Sequence, residues 1–281
     1  MLSVLNASAS DNEDRSERIR DFVSLGGKVV GAVAGSAIGL LGGPEAALAG
    51  GAAGTTVGEV LASAGVEFFD RRLAERQGVR AAAALAVATV EIDRRLAEGE
   101  RPRPDFADYP AEDSDASQVL EGTLMTAANS YEQRKVPYMG RFFANLAFDE
   151  TVSVSLANLI LKLLDRLTYG QFRVLATLAS ENYLEMLIQL GAERREGTFS
   201  SNDDVVAEMD ELSSIGLIGV GQTDGQVVPL TAVIEGSSWR TMDLYRARLT
   251  PLGVRVHRLL GLAAMPDYER DAVVASLRGQ A

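Results

Sequence analysis

Glycine returns every fourth residue at Gly27, Gly31, Gly35, Gly39 and Gly43, and again at Gly50, Gly54 and Gly58 after the break Gly42-Gly43-Pro44-Glu45. Four-residue spacing sets each series along one face of a helix. A face without side chains lets a second backbone approach closely and gain dispersion contacts along its length. Glycine costs about 1 kcal/mol per helical residue relative to alanine, so such a row in register requires a compensating contact. Two helices joined at the Gly-Pro turn and packed face to face supply it. Residues 27–58 therefore read as a glycine-zipper hairpin built for helix packing, not for catalysis.

Lipid and protein both satisfy that geometry. Residues 29–44 and 46–58 carry no charge, yet each arm is alanine-rich and shorter than the roughly 20 residues of a perpendicular membrane span. Arg15, Arg18, Arg20 and Lys28 precede the hairpin and Arg71, Arg72, Arg76 and Arg80 follow it, while the tip has no positive charge. That asymmetry would hold both ends on the cytoplasmic side with the tip inserted. In a protein environment the same face would serve self-association.

The remaining composition narrows the chemistry. The chain has 281 residues, 47% of them hydrophobic, and a formal net charge of -12, which repels phosphate backbones and anionic lipid unless a basic patch reverses the sign locally. There is no cysteine, so disulfides, thiolate nucleophiles and cysteine metal sites are excluded. His257 is the single histidine, which excludes a multi-histidine metal site. Lysine occurs only at Lys28, Lys135 and Lys162, a bias that, with the heavy alanine usage, fits a GC-rich bacterial genome. The acidic and arginine-rich start, Asp11 to Arg20, is unlike a signal peptide, so a cytoplasmic location is expected.

Composition divides the chain into a polar lead-in (1–20), a helical region containing the hairpin (21–99), a Pro- and acid-rich linker with Pro102, Pro104 and Pro110 (100–117), a second helical region (118–167) and a C-terminal domain (168–281). In the second helical region a helix is expected from Val119 to about Arg134, broken by Val136-Pro137. Phe142, Phe143, Leu146 and Phe148 read as core. Leu156, Leu159, Ile160, Leu163, Leu164 and Leu167 recur at helical spacing after Ser155.

From residue 168 onward, helices are expected at 171–179, 181–190 and 203–214, then strands at 217–220, 226–234 and 244–249, with turns at Thr223-Asp224-Gly225 and Gly236-Ser237-Ser238. Thr250 and Pro251 mark the N-cap and first residue of a closing helix. The phrase at 210–218, DELSSIGLI, followed by Arg248-Leu249-Thr250-Pro251-Leu252-Gly253, resembles the recognition helix, first wing strand and last helix of bacterial winged-helix domains. That resemblance implies DNA binding through the helix before the wing. Here that helix carries Asp203, Asp204, Glu208, Asp210 and Glu211 and neither Lys nor Arg, which departs from the family pattern. Arg240, Arg246 and Arg248 near the wing form a small positive strip. The module reads as a protein-interaction or packing domain, and nucleic acid is not an expected partner.

Gly26-Gly27-Lys28-Val29 lacks the hydroxyl residue of a phosphate-binding loop. His257 has cationic neighbours and no carboxylate or serine beside it in sequence. Asp203-Asp204 and Asp210-Glu211 are adjacent and do not face each other on a helix, so they read as caps and solvated faces. No cofactor, metal or catalytic residue is expected. The fold class is mainly α: a glycine-zipper hairpin and helices, then a helical region with a winged-helix-like α+β module. This layout resembles bacterial membrane-acting proteins of stress, toxin or phage-defence type. The resemblance implies a non-enzymatic effector or regulator whose hairpin joins the inner membrane or self-assembles, controlled by the C-terminal module. The alternatives are a soluble homo-oligomeric scaffold or adaptor with the zipper as subunit contact, or a winged-helix transcription regulator.

Overall fold

Alanine in place of larger apolar residues defines the first helix in the computed structural model, which describes residues 75–104, 115–180, 183, 203–222, 225–229 and 246–277. The zipper glycines 27–58, Lys28, Arg71, Arg72, the expected helix at 181–190 and most of the expected second strand lie outside these residues. The chain divides into two compact units, 1–166 and 167–281, each described by itself.

In the first unit, α1 (Glu75–Ala97) is buried at every residue from 81 to 88, a run that is alanine except for Leu85 and Val87. A helix apolar on all sides belongs in the interior. α1 packs against α2 (Asp115–Asn129) and α3 (Val136–Leu146), and α2 also meets α3 and α4 (Val154–Arg166). The closest approach is α1 on α3. A Cβ added to Gly140 would overlap the Ala84 carbonyl oxygen and stand 2.9 Å from Val87 Cβ. Phe142, Phe143 and Leu146 are fully buried beside this crossing, whereas Phe148 is half-buried with the Arg95 guanidinium 4.3 Å above its ring.

Two local features differ from the sequence expectation. Pro137 opens α3 instead of breaking a helix, because a first-turn N–H has no intrahelical partner to lose. The preceding helix accordingly ends at Asn129, and Gln133–Lys135 forms a 3-10 turn. The Pro-rich segment is also not wholly solvated. Arg103 is 4% exposed and donates from Nη1 to the carbonyls of Asp149 (3.2 Å) and Val152 (2.7 Å), while its backbone N–H donates to Ala147 O (2.9 Å). This one residue fastens the segment to the turn between α3 and α4.

The second unit runs α5 (Tyr169–Leu178), α6 (Asp203–Ser214), β1 (Ile218–Gly221), β2 (Val227–Val228), β3 (Ala247–Leu249), α7 (Pro251–Leu259) and α8 (Asp267–Leu277). The strands form an antiparallel sheet in the order β2-β1-β3, with Val220 opposite both Val228 and Ala247. Gly216, at φ +77°, ends α6 and turns the chain into β1. Thr250 then ties α7 to that junction: its hydroxyl donates to Gly216 O (2.6 Å) and accepts from Gly253 N (3.1 Å). Gly253 lies so close to Leu217 O that no side chain fits between them. The described chain is thus mainly helical with a small three-stranded antiparallel sheet.

Candidate functional site

Alternation along the sheet sorts its residues by face. Ile218, Val220 and Ala247 are fully buried and form the inner face. Gly219, Gly221 and Arg248 take the other face, with Arg248 opposite Gly219, and Arg246 lies just before β3. The glycines leave β1 without side chains there, and the Arg248 stem crosses the vacant position at Gly221, where a Cβ would meet its Cγ at 3.0 Å. Arg246 donates from Nε to Gly221 O (3.3 Å), and Arg248 donates from Nη1 to Ala247 O (2.7 Å). The β1–β2 turn is closed by Gln222 N–H to Gln226 O (2.8 Å) and by Gly225 at φ +83°.

A cleft of about 550 Å³ opens beside this face. The hairpin contributes Gly221, Gln222, Gly225, Gln226 and Val227, β3 contributes Arg248 and Leu249, and Arg246 comes from the residue just before β3. The end of α5 supplies Leu178 and Ala179, and α7 supplies Val254 and His257. His257 is half-buried in the last turn of α7. Burial pushes its imidazole below the usual histidine range, and the Arg270 charge pushes it the same way. The described lining thus combines two guanidiniums, an imidazole and two carboxamides with apolar side chains. Among the described lining residues none is a carboxylate, serine, threonine, tyrosine or lysine.

Two acids of α6 have partners within their own unit. Glu208 Oε1 accepts from the Thr168 hydroxyl (2.8 Å), and Glu211 Oε2 accepts from Gln171 Nε2 (2.9 Å). Thr168 and Gln171 are themselves the two halves of the capping box of α5. The carboxylates thus sit at the N-terminus of α5, where the helix dipole favours negative charge. On α8, Glu269 joins α5 through an ion pair with Arg173 Nε (3.1 Å), with the glutamate side chain 9% exposed.

Of the basic residues singled out as hairpin flanks, two are described. Arg76 is exposed on α1. Arg80 is half-buried and donates to the Ser130 carbonyl just beyond α2, and its Nε is buried without a hydrogen-bond partner. Lys135 is 4% exposed, and its pKa is lowered by burial against the opposing pull of Glu132 and Asp165. The cleft residues Gln222, Gln226 and His257 carried no sequence signal as a set. The spacing of Arg246 and Arg248, two apart in the strand expected at 244–249, was the one legible hint, although β3 begins only at Ala247.

Among the described residues, no group of three or more His, Asp or Glu side chains is arranged to hold a metal ion. No helix among them is long and apolar enough to cross a membrane. No protein-family profile matches the chain, and neither does any curated protein or solved structure.

Proposed function

We propose that the chain is a non-enzymatic bacterial effector or regulator of stress, toxin or phage-defence type. Its Gly/Ala-rich hairpin associates with the inner membrane or with copies of itself, and the C-terminal unit, a winged-helix-like interaction domain, controls it. The observation that carries this reading is the zipper register at Gly27, Gly31, Gly35, Gly39 and Gly43, resumed at Gly50, Gly54 and Gly58, with arginines at the base and none at the tip. A marginally apolar hairpin of this kind is soluble when packed in protein and membrane-active when released, which needs a control element with two arrangements.

The element order of the second unit supports the interaction-domain reading: a helix, a glycine turn, a β1–β2 hairpin and a closing helix. The acids of α6 argue against nucleic acid as its partner. Glu208 and Glu211 leave a carboxylate-bearing helix where a DNA reader presents Arg, Lys, Asn or Gln. The second reading, a homo-oligomeric scaffold with the zipper as subunit contact, is favoured by the short, alanine-rich arms.

Flotation with anionic vesicles and dye-leakage assays on the full chain separate the two. The effector reading expects vesicle association or leakage that is lost when Gly31, Gly35 and Gly39 are replaced by leucine. A chain that never floats or permeabilises at any lipid composition, yet elutes as an oligomer dispersed by the same substitutions, would establish the scaffold. Loss of the C-terminal fold in the triple variant would show that the hairpin is ordinary core.

A further inference from the structure

We infer that one end of the first unit, formed by the start of α1 and the loop from Ser130 to Lys135, is a contact surface for the headgroup layer of an anionic membrane, with Tyr131 as its anchor. Two hydrogen bonds bring the loop to α1: Gln77 Nε2 donates to Asn129 Oδ1 (3.0 Å), and Arg80 Nη1 donates to the Ser130 carbonyl. Tyr131, the next residue, is 98% exposed, so the fold buries almost none of its ring. Tyrosine joins an apolar ring to a polar tip, which suits it to the boundary between hydrocarbon and water.

The charge of this end agrees. Arg76 and Arg134 are exposed, Arg80 is half-buried and Lys135 is buried; against them stand Glu75 and Glu132. The last turn of α4, close enough for Asp165 to act on Lys135, adds one charge of each sign, Asp165 and Arg166. The opposite end has the reverse balance. There Arg95 donates to Asn145 Oδ1 (3.2 Å), and the acids Glu91, Asp93, Glu98, Glu100, Asp149 and Glu150 outnumber the arginines. Gln77 and Arg95 mark the two levels, about 27 Å apart along α1 at a rise of about 1.5 Å per residue. In a chain of net charge -12, the first unit thus has an end of positive sign, and it is the end that bears the exposed tyrosine. Chain order points to lipid as the anionic surface, because the start of α1 is also where the chain arrives from the zipper arm that closes at Gly58. The proposed function sets the base of the hairpin at headgroup level, so the inference rests on that reading and extends it from the hairpin to the folded unit.

The absence of cysteine allows a single reporter to be placed at will. Tyr131→Cys and, at the far end, Glu150→Cys are each labelled in the full chain with an environment-sensitive fluorophore. Both positions are exposed, so labelling leaves the packing intact. The labelled chains are mixed with vesicles of phosphatidylcholine, with and without phosphatidylglycerol, and with a lipid-borne quencher at headgroup depth. On vesicles containing phosphatidylglycerol, emission at 131 should shift to the blue and be quenched by the lipid, while emission at 150 should do neither. In the unlabelled chain, Arg134→Gln should weaken flotation with those vesicles about fivefold, the effect of one basic residue near an anionic leaflet. Vesicle association with position 131 still in water overturns the inference and leaves the membrane reading of the hairpin standing. Equal responses at 131 and 150, or unaltered flotation of Arg134→Gln, also overturn it. A change at 131 that needs no vesicles and grows with protein concentration assigns the surface to a second copy instead. No association with any vesicle removes the inference and the membrane reading together.

Discussion

Alanine substitution at Gly78, Gly122 and Gly140 should move stability in three different directions, because the three glycines are helical but differ in what a methyl group would meet. Each substitution gains up to about 1 kcal/mol of helix propensity. At Gly78 no described residue lies within 4 Å of the added Cβ, so the gain should be kept and the variant stabilised by roughly 0.5–1 kcal/mol. At Gly122 the methyl would come 3.0 Å from Leu161 Cδ1, the end of a flexible side chain, and the net effect should be close to zero. At Gly140 it would overlap the Ala84 carbonyl oxygen, which the hydrogen-bond ladder of α1 holds in place.

Relief at that crossing requires α1 and α3 to separate, and a gap of about 0.5–1 Å forfeits a quarter to a half of each dispersion interaction along the face. Overpacking typically costs about 1–3 kcal/mol, and the looser packing along the alanine face adds to it. After subtracting the propensity gain, Gly140→Ala should destabilise the first unit by about 1–2 kcal/mol. Urea denaturation of the full chain followed by circular dichroism gives the ranking. Hydrogen exchange over residues 81–97 assigns the loss to the first unit, since two units need not unfold together. A Gly140→Ala variant as stable as the parent, with unchanged protection over α1, would refute the close-crossing account.

Three further perturbations address the remaining interactions. Arg103→Met leaves the Asp149 and Val152 carbonyls without their buried donor, and should cost about 1–3 kcal/mol while accelerating amide exchange over 147–153; unchanged exchange there would contradict its fastening role. Glu269→Gln should loosen α8 by about 1–2 kcal/mol, less than a fully buried pair because Arg173 is 25% exposed, and a double-mutant cycle with Arg173→Met should show coupling between the two. His257 binds its proton less readily in the folded state than at the ordinary value of 6.5, so the unfolded chain takes up the proton first. Its contribution is therefore complete above pH 6.5 and is lost as pH falls from there toward the depressed folded value. Urea midpoints of the parent should fall through that window more steeply than those of His257→Gln, and equal slopes would count against burial as the cause.

Local signals were legible where a residue's role depends on its immediate neighbours. Thr250 and Pro251 announced α7, Gly216 announced the end of α6, and the leucine stripe after Ser155 announced α4. Roles that depend on distant partners were not legible. Arg103 reads as one more charge in a polar linker until a turn almost 50 residues away folds around it. Glu211 reads as part of a solvated face and Glu208 only as one more acid of its helix because Gln171 and Thr168 lie 40 residues earlier, and Glu269 meets a partner 96 residues away. The cleft shows the same division. Two arginines two residues apart are visible in the sequence, but the approach of α5 and α7 that places a cleft beside them is not.

The interior position of α1 also limits how this protein can change over evolutionary time. An amphipathic helix keeps a solvent side on which sequence drifts freely, and core volume can be traded between its buried positions. From 81 to 88, α1 has no such side, and its alanines leave nothing to trim and no room to enlarge. Drift should pass around this segment to the exposed positions near its ends, such as Arg76 and Glu98. Related chains should then share this short stretch of small residues even where the surrounding sequence has diverged.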